Sequence, residues 1–239
     1  AARRALPFLV LGPAAIWQSV SADAMFASVA AWGLAALALA ATRRRVGWAL
    51  LAGGLLGYTV MLSYGLPLLG VLALAVLVVA RSWFPLPFAA AAAVAVVMAF
   101  AAFGFAWWDA LPVLHSRYWD GIAHRRPTTY WLWGDLAALV FSAGPVLGSA
   151  LAASGSEMVG ALKRPRAHPV GALVAAAATA VLLADASLMS KGEVERIWLP
   201  FVPWLLLSCA FLPRRWARWG LVVQVVFALV VEHLIWSEW

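Results

Sequence analysis

Apolar runs of about 15–22 residues alternate with short polar breaks along nearly the whole chain, the hydropathy signature of membrane helices. The pattern predicts spans near 5–20, 24–42, 46–63, 66–80, 86–107, 130–152, 169–189, 198–213 and 219–236. The first run is short and broken by Pro13, and reads as the remnant of a longer helix. Ser63-Tyr64-Gly65-Leu66-Pro67 is a tight turn between two spans, because Gly and Pro break helices. The expected fold class is therefore all-α, a polytopic transmembrane helix bundle of about nine spans. Residues 1–239 form one transmembrane domain in this reading, located in the cell membrane and multi-pass.

Composition strengthens that picture. The chain is 65% hydrophobic and 11% charged, whereas a soluble domain is about a quarter charged. A net charge of +7 raises the question of nucleic acid. In a membrane protein it is explained by Lys and Arg collecting in cytoplasmic loops, and no nucleic-acid partner is expected. The single Cys209 cannot form an internal disulfide, so cysteine reports nothing about compartment.

The cations also set an orientation. Arg3, Arg4, Arg43, Arg44, Arg45, Arg81, Lys163, Arg164, Arg166, Arg214, Arg215 and Arg218 fall in one alternating set of breaks, twelve of the seventeen. That set is expected on the cytoplasmic side, with the N-terminus inside and the C-terminus outside. The acids sort oppositely. Only Glu157 shares a break with the twelve; Asp23, Asp109, Asp120, Glu193 and Glu195 lie in or beside the outer breaks, and Asp135, Asp185, Glu232 and Glu238 lie near outer ends. A working site is expected to face outward. Trp107, Trp108, Trp119, Trp131, Trp133, Trp198 and Trp236 would line the outer interface, and Trp48, Trp83, Trp216 and Trp219 the inner one. An aromatic belt accounts for them; stacking on a sugar ring or a lipid chain is the sharper alternative.

Three segments carry candidate chemistry. In Trp17–Asp23, Ser19 or Ser21 is placed to cap the following helix and Asp23 suits its positive end; the functional alternative has Asp23, with Ser21 and Gln18, binding a hydroxylated head group at the outer surface. In 109–129, read as the longest outer loop, Arg117 and Tyr118 suit a phosphate, because Arg offers planar bidentate donors and Tyr adds another. His115 and His124 lack a ligand-like spacing to an acid. Ser190–Trp198 puts Lys191, Glu193, Glu195 and Arg196 between two apolar runs, where charge is costly unless paired or wet. Glu193 pairs with Arg196 at i,i+3 and Lys191 with Glu195 at i,i+4 if the segment is helical. The alternative frees a carboxylate for sugar hydroxyls or a metal, with Arg196 and Lys191 on phosphate. Asp135 and Asp185 are candidate partners for these cations. No Walker loop, dinucleotide fingerprint, His-Glu-x-x-His or nucleophile elbow occurs. Gly53-Gly54 with Gly57 gives a small-residue face suited to helix packing. No cofactor is evident; a divalent metal is left open and no metal ligand is assigned.

Leu11–Phe26, with its Pro13, Trp17, Ser21 and Asp23, resembles the middle segment of polytopic glycosyltransferases of the C-type (GT-C) fold. Ser190–Phe201, with its Gly-Glu-Val-Glu-Arg-Ile-Trp-Leu-Pro core, resembles the late outer loop of actinobacterial integral membrane proteins grouped with them. The Ala- and Arg-rich composition resembles that source as well. The resemblance implies sugar transfer from a polyprenyl-phosphate donor at the outer membrane face, with membrane lipid and that donor as partners. Ser21 and Asp23 match the middle motif, and Glu193, Glu195 and Arg196 the late one. In the family the catalytic acid usually lies in an earlier outer loop. Since the chain starts Ala-Ala-Arg-Arg without Met, a C-terminal portion lacking that loop is the expectation. The functional expectation is a mannosyltransferase-like membrane glycosyltransferase or its C-terminal portion. Asp23, Glu193 and Glu195 are the catalytic candidates, and Ser21, Asp23, Arg117, Tyr118, Lys191, Glu193, Glu195 and Arg196 the substrate-binding ones. The alternatives are a transporter or flippase of lipid-linked or small anionic solute, and a non-catalytic protein of envelope assembly.

Overall fold

The computed structural model of the chain describes residues 1–235, so the expectations placed on Trp236 and Glu238 lie outside the described residues. Among those residues the structure is all-helical and holds no strand. The helices are α1 (Ala2–Leu11), α2 (Ala14–Val20), α3 (Ala22–Arg43), α4 (Val46–Leu62), α5 (Leu69–Ala80), α6 (Leu86–Ala102) and α7 (Trp107–Asp120). They continue as α8 (Thr128–Ala143), α9 (Leu147–Lys163), α10 (Pro169–Ala186), α11 (Val194–Ile197), α12 (Val202–Leu206) and α13 (Arg214–Leu234). Short 3-10 turns at Leu66–Leu68, Ile122–Arg125 and Leu207–Phe211 complete the path.

Three helices, α3, α10 and α13, are long and apolar enough to cross a membrane. The number rises to five if α6 with α7 and α8 with α9 are each one broken span. Several expected boundaries shift for local reasons. The segment 109–129 is not a loop, since its first half is helix α7, set at 74° to α6. The run 130–152 is not one rod, because α8 stops at Gly144 (φ +83) and the chain turns 96° into α9. The run 198–213 is not a single helix either. Pro200 lies in the irregular stretch before α12, Pro203 sits in the first turn of α12, and a 3-10 turn follows at Leu207–Phe211; the run sits at the centre of the bundle, with Trp198, Leu199, Phe201, Leu205 and Leu206 buried.

Two devices hold the first half. The arginines of two polar breaks act as C-caps: Arg44 ends α3 and Arg81 ends α5, both in the left-handed region, with a positive side chain at the negative helix end. The Arg44 guanidinium also lies 5.3 Å from the Phe84 ring centroid, tying the two breaks together. The small-residue face does pack helices, since Gly53 and Gly57 lie against the backbone of Ala89 and Ala93 in α6 and leave no room for a Cβ.

The α8–α9 break is closed by a residue the sequence pattern did not single out. Gln224 of α13 is fully buried; its amide donates to the Ala143 carbonyl at 2.9 Å and accepts from the Val146 N–H at 3.3 Å. One side chain thus takes up backbone groups that the break frees, which irregular backbone at membrane depth requires. A Cβ at Gly144 would collide with that same amide.

Candidate functional site

The late segment doubles back through two consecutive left-handed residues, Gly192 (φ +89) and Glu193 (φ +60). Glu193 is the N-cap of the single-turn helix α11. This reversal turns the charged side chains of 191–196 toward different neighbours, and they divide into two groups.

The first group binds the loop to the helices around it. Lys191 is only 3% exposed. Its ammonium donates to the Arg126 carbonyl (3.1 Å), the Thr128 hydroxyl (3.0 Å) and, at 3.5 Å, the Ala123 carbonyl. It also sits 4.4 Å from the Trp119 ring centroid, a cation–π placement. The Lys191 N–H donates to the Tyr118 hydroxyl at 2.7 Å, and the Arg126 guanidinium donates to the Lys191 carbonyl while lying 4.8 Å from the Trp131 ring. The Gly192 N–H donates to Asp135 at 2.8 Å. So the expected i,i+4 pair of Lys191 with Glu195 does not form: the ammonium faces backbone carbonyls, and Lys191 closes the loop rather than opening onto a phosphate. Asp135 partners a backbone N–H rather than a cation.

The second group joins distant parts of the chain. Arg196 donates to Asp23 at 3.3 Å across 173 positions, and through its other terminal nitrogen to Glu193. The i,i+3 pair forms as the spacing predicts, and the guanidinium is bracketed by two carboxylates. Asp23 reaches it because α3 starts at Ala22, on the C-cap Ser21 of α2. Ser21 occupies the N-cap position of α3, but its hydroxyl donates back to the Trp17 carbonyl at 2.8 Å, and Ser19 does the same to Ala15. Neither side chain caps α3. Glu195 is half-buried beside this group, and burial raises its carboxyl above the ordinary value, with the Glu193 charge adding to the rise. Arg117 is exposed and makes none of the cluster's bonds. It precedes Tyr118 on α7 and lies about 200° round the helix from Trp119 at about 100° per residue, so it points away from the face that meets Lys191.

Three buried polar atoms of the same region, Asp185 Oδ1, Ser190 Oγ and Trp198 Nε1, have no hydrogen-bond partner among the described residues. Buried polar groups are normally satisfied, by protein, water or ligand. Asp185 therefore joins neither Lys191 nor Arg196. Of the outer tryptophans, Trp119 and Trp131 hold cations and Trp198 is core, while Trp133 is 75% exposed. No group of three or more His, Cys, Asp or Glu among the described residues is placed to hold a metal ion.

The sequence signalled Asp23, Glu193, Glu195 and Arg196 and their neighbourhood. It did not signal Arg126 as the clamp on Lys191, nor Trp119 as its cover, because both are tertiary contacts across more than sixty positions. Comparison with protein-family models, with curated proteins and with solved structures gave no match to this chain.

Proposed function

We propose that the chain is a mannosyltransferase-like membrane glycosyltransferase, or the C-terminal portion of one. It takes a sugar from a polyprenyl-phosphate donor at the outer face of the cell membrane. In this reading it is a multi-pass protein of about nine spans, the shorter and broken helices included, with its N-terminus inside and its C-terminus outside. One observation carries the proposal. The two segments that resemble GT-C enzymes, far apart in sequence, meet through Asp23 and Arg196 at 3.3 Å. Asp185 Oδ1, the Ser190 hydroxyl and the Trp198 indole N–H, without partners among the described residues, supply acceptors and donors suited to sugar hydroxyls.

The chemistry is an inverting displacement. A carboxylate takes the proton of the acceptor hydroxyl, the acceptor oxygen forms the new bond to the anomeric carbon, and the bond to the lipid phosphate breaks with its electrons leaving on the phosphate. Glu195 suits the base, since its raised pKa brings it closer to the operating pH. Arg196 orients Asp23 and Glu193 rather than gripping the leaving phosphate, because both terminal nitrogens are engaged. That grip falls to the Tyr118 hydroxyl, which accepts from Lys191 and keeps its own proton to donate; Arg117, on the other face of α7, takes no part in it.

The test is transfer from a radiolabelled polyprenyl-phosphate sugar in membranes carrying the whole gene product. Glu195→Gln is expected to lower turnover about 100-fold or more, the usual contribution of a positioned base. If Glu195→Gln and Arg196→Ala both leave transfer intact, the chain is a non-catalytic envelope partner. The transporter reading draws on the break at Gly144, but Gln224 fills that break and leaves no open polar site there.

A further inference from the structure

Where α1 meets α13 the chain collects arginines that have no acid partner among the described residues. Arg3, Arg4, Arg214, Arg215 and Arg218, with Trp219, line an open groove of about 730 Å³ between α1 and α13. Among the described residues no Asp or Glu lines it, and none of the five arginines forms an ion pair. Arg4 is fixed by a hydrogen bond to the Leu212 carbonyl, which anchors one wall. The arrangement is electrostatically frustrated on its own. Arg214, Arg215 and Arg218 crowd the first turns of α13, where the helix dipole is already positive and no acidic residue offsets it. An anion in the groove relieves both the mutual repulsion and the dipole.

The surroundings say what kind of anion. The groove floor also includes Pro7, Phe8 and Leu221, which are apolar. Across Trp219 lies a second cavity of about 470 Å³, lined mainly by apolar groups of α9 and α13, Val146, Trp216 and Val223 among them. Beyond it α13 is the most outward of the long helices: only 11% of its apolar window is buried, and Val222, Val226, Leu229 and Val230 are exposed. A cationic pocket thus opens onto an apolar channel and then onto a face built for acyl chains. We propose that this groove is a binding site for an anionic phospholipid, its phosphate held by the arginines of α1 and α13 and an acyl chain laid over Trp219 into the apolar cavity. A basic pocket between helices at one membrane face is the chemistry that holds such head groups. The groove lined by Arg81, Lys163, Arg164 and Arg166 is comparably basic, but neither a tryptophan nor a phenylalanine lines it, so it serves as the internal control.

The experiment is lipid titration of the delipidated protein in neutral detergent, read by native mass spectrometry, with dioleoyl-phosphatidylglycerol and dioleoyl-phosphatidylcholine as probes. The wild type is expected to prefer phosphatidylglycerol. The Arg214→Ala/Arg218→Ala double variant is expected to lose about thirtyfold of that affinity, the factor for removing two membrane-surface arginines. The Arg164→Ala/Arg166→Ala variant is expected to keep it. Equal binding of the two lipids, or equal losses in the two double variants, overturns the proposal in favour of general surface charge. Displacement of phosphatidylglycerol by excess inorganic phosphate makes the site one for the free ion and overturns it as well. A photoactivatable phosphatidylglycerol on the wild type keeps the test open if the variants misfold: crosslinks are expected within residues 214–223, and their absence there sinks the assignment.

Discussion

The two charged ends of the bundle use arginine and lysine in opposite ways. At the end where Asp23 lies, cations are engaged: Lys191 is enclosed by carbonyls and Trp119, Arg126 is clamped to the Lys191 backbone, and Arg196 holds two carboxylates. Elsewhere the arginines of α1 and α13, and those just after α9, stand open around grooves, and Glu157 pairs with His168 at 2.8 Å rather than with any of them. Buried cations lose hydration and persist only with partners; surface cations lose little and contribute little by themselves. The same residue type is therefore structural at one end and available at the other.

The largest difference is expected from single removals. Lys191→Ala leaves the carbonyls of Ala123 and Arg126 without their donor and frees the 122–128 segment from the late loop. A loss of about 3 kcal/mol is expected in detergent unfolding, in the range for breaking a buried charged network. Arg215→Ala at the other end is expected to stay within about 0.5 kcal/mol. Comparable losses would erase the distinction between the ends. Gln224→Leu, in the buried middle of α13, strips two backbone partners from the α8–α9 break and is expected to cost about 2 kcal/mol. If it is neutral, water supplies those bonds and the break is not sealed.

How far this was legible in the sequence follows the same division. Apolar run length gave the all-helical class, and the alternation of Lys and Arg marked the breaks. Local spacing was enough for the Glu193–Arg196 pair, and residue size for the Gly53–Gly57 face against Ala89 and Ala93. What hydropathy could not convey was continuity. The runs at 130–152 and 198–213 look uniform by composition, yet neither is one helix: Gly144 at φ +83 breaks the first, whose free backbone groups are met by a residue eighty positions away, and the second is a short helix followed by a 3-10 turn. The position of Lys191 was misleading for a related reason. A lysine beside two glutamates in sequence reads as a local ion pair, whereas the left-handed turn at Gly192 and Glu193 swings it to the other side of the loop.

A double-mutant cycle sharpens the comparison next. Asp23→Ala, Arg196→Ala and the double variant are expected to give a coupling of about 1 kcal/mol, modest because the guanidinium side chain is 35% exposed. The matching cycle on Arg4 and Arg214 is expected to give a coupling of the opposite sign, as two like charges facing one groove repel. Zero coupling for the first pair would mean that Asp23 and Arg196 merely lie close, and would remove the link between the two resemblance segments.

The smallest effect is the most diagnostic in sign. Burial raises the Glu195 carboxyl above its ordinary 4.5 in the folded protein, so the fold favours the protonated form. The stability that Glu195 contributes is full below the unfolded pKa and is lost as pH rises through the folded one. Wild type is expected to melt lower at neutral pH than Glu195→Gln, which stays neutral, and the two are expected to converge below about pH 4.5. Thermal melts across that range read the difference directly. No surface acid would behave so: Glu157→Gln, whose carboxylate gains a partner in His168, is expected to melt no higher than wild type. A variant that gains stability while transfer falls would identify Glu195 as a group held at a cost for its chemistry, which structural residues such as Lys191 are not. If Glu195→Gln melts below wild type at neutral pH, the carboxylate is a stabilising ligand of the loop, and Glu195 is not held at a cost for its chemistry.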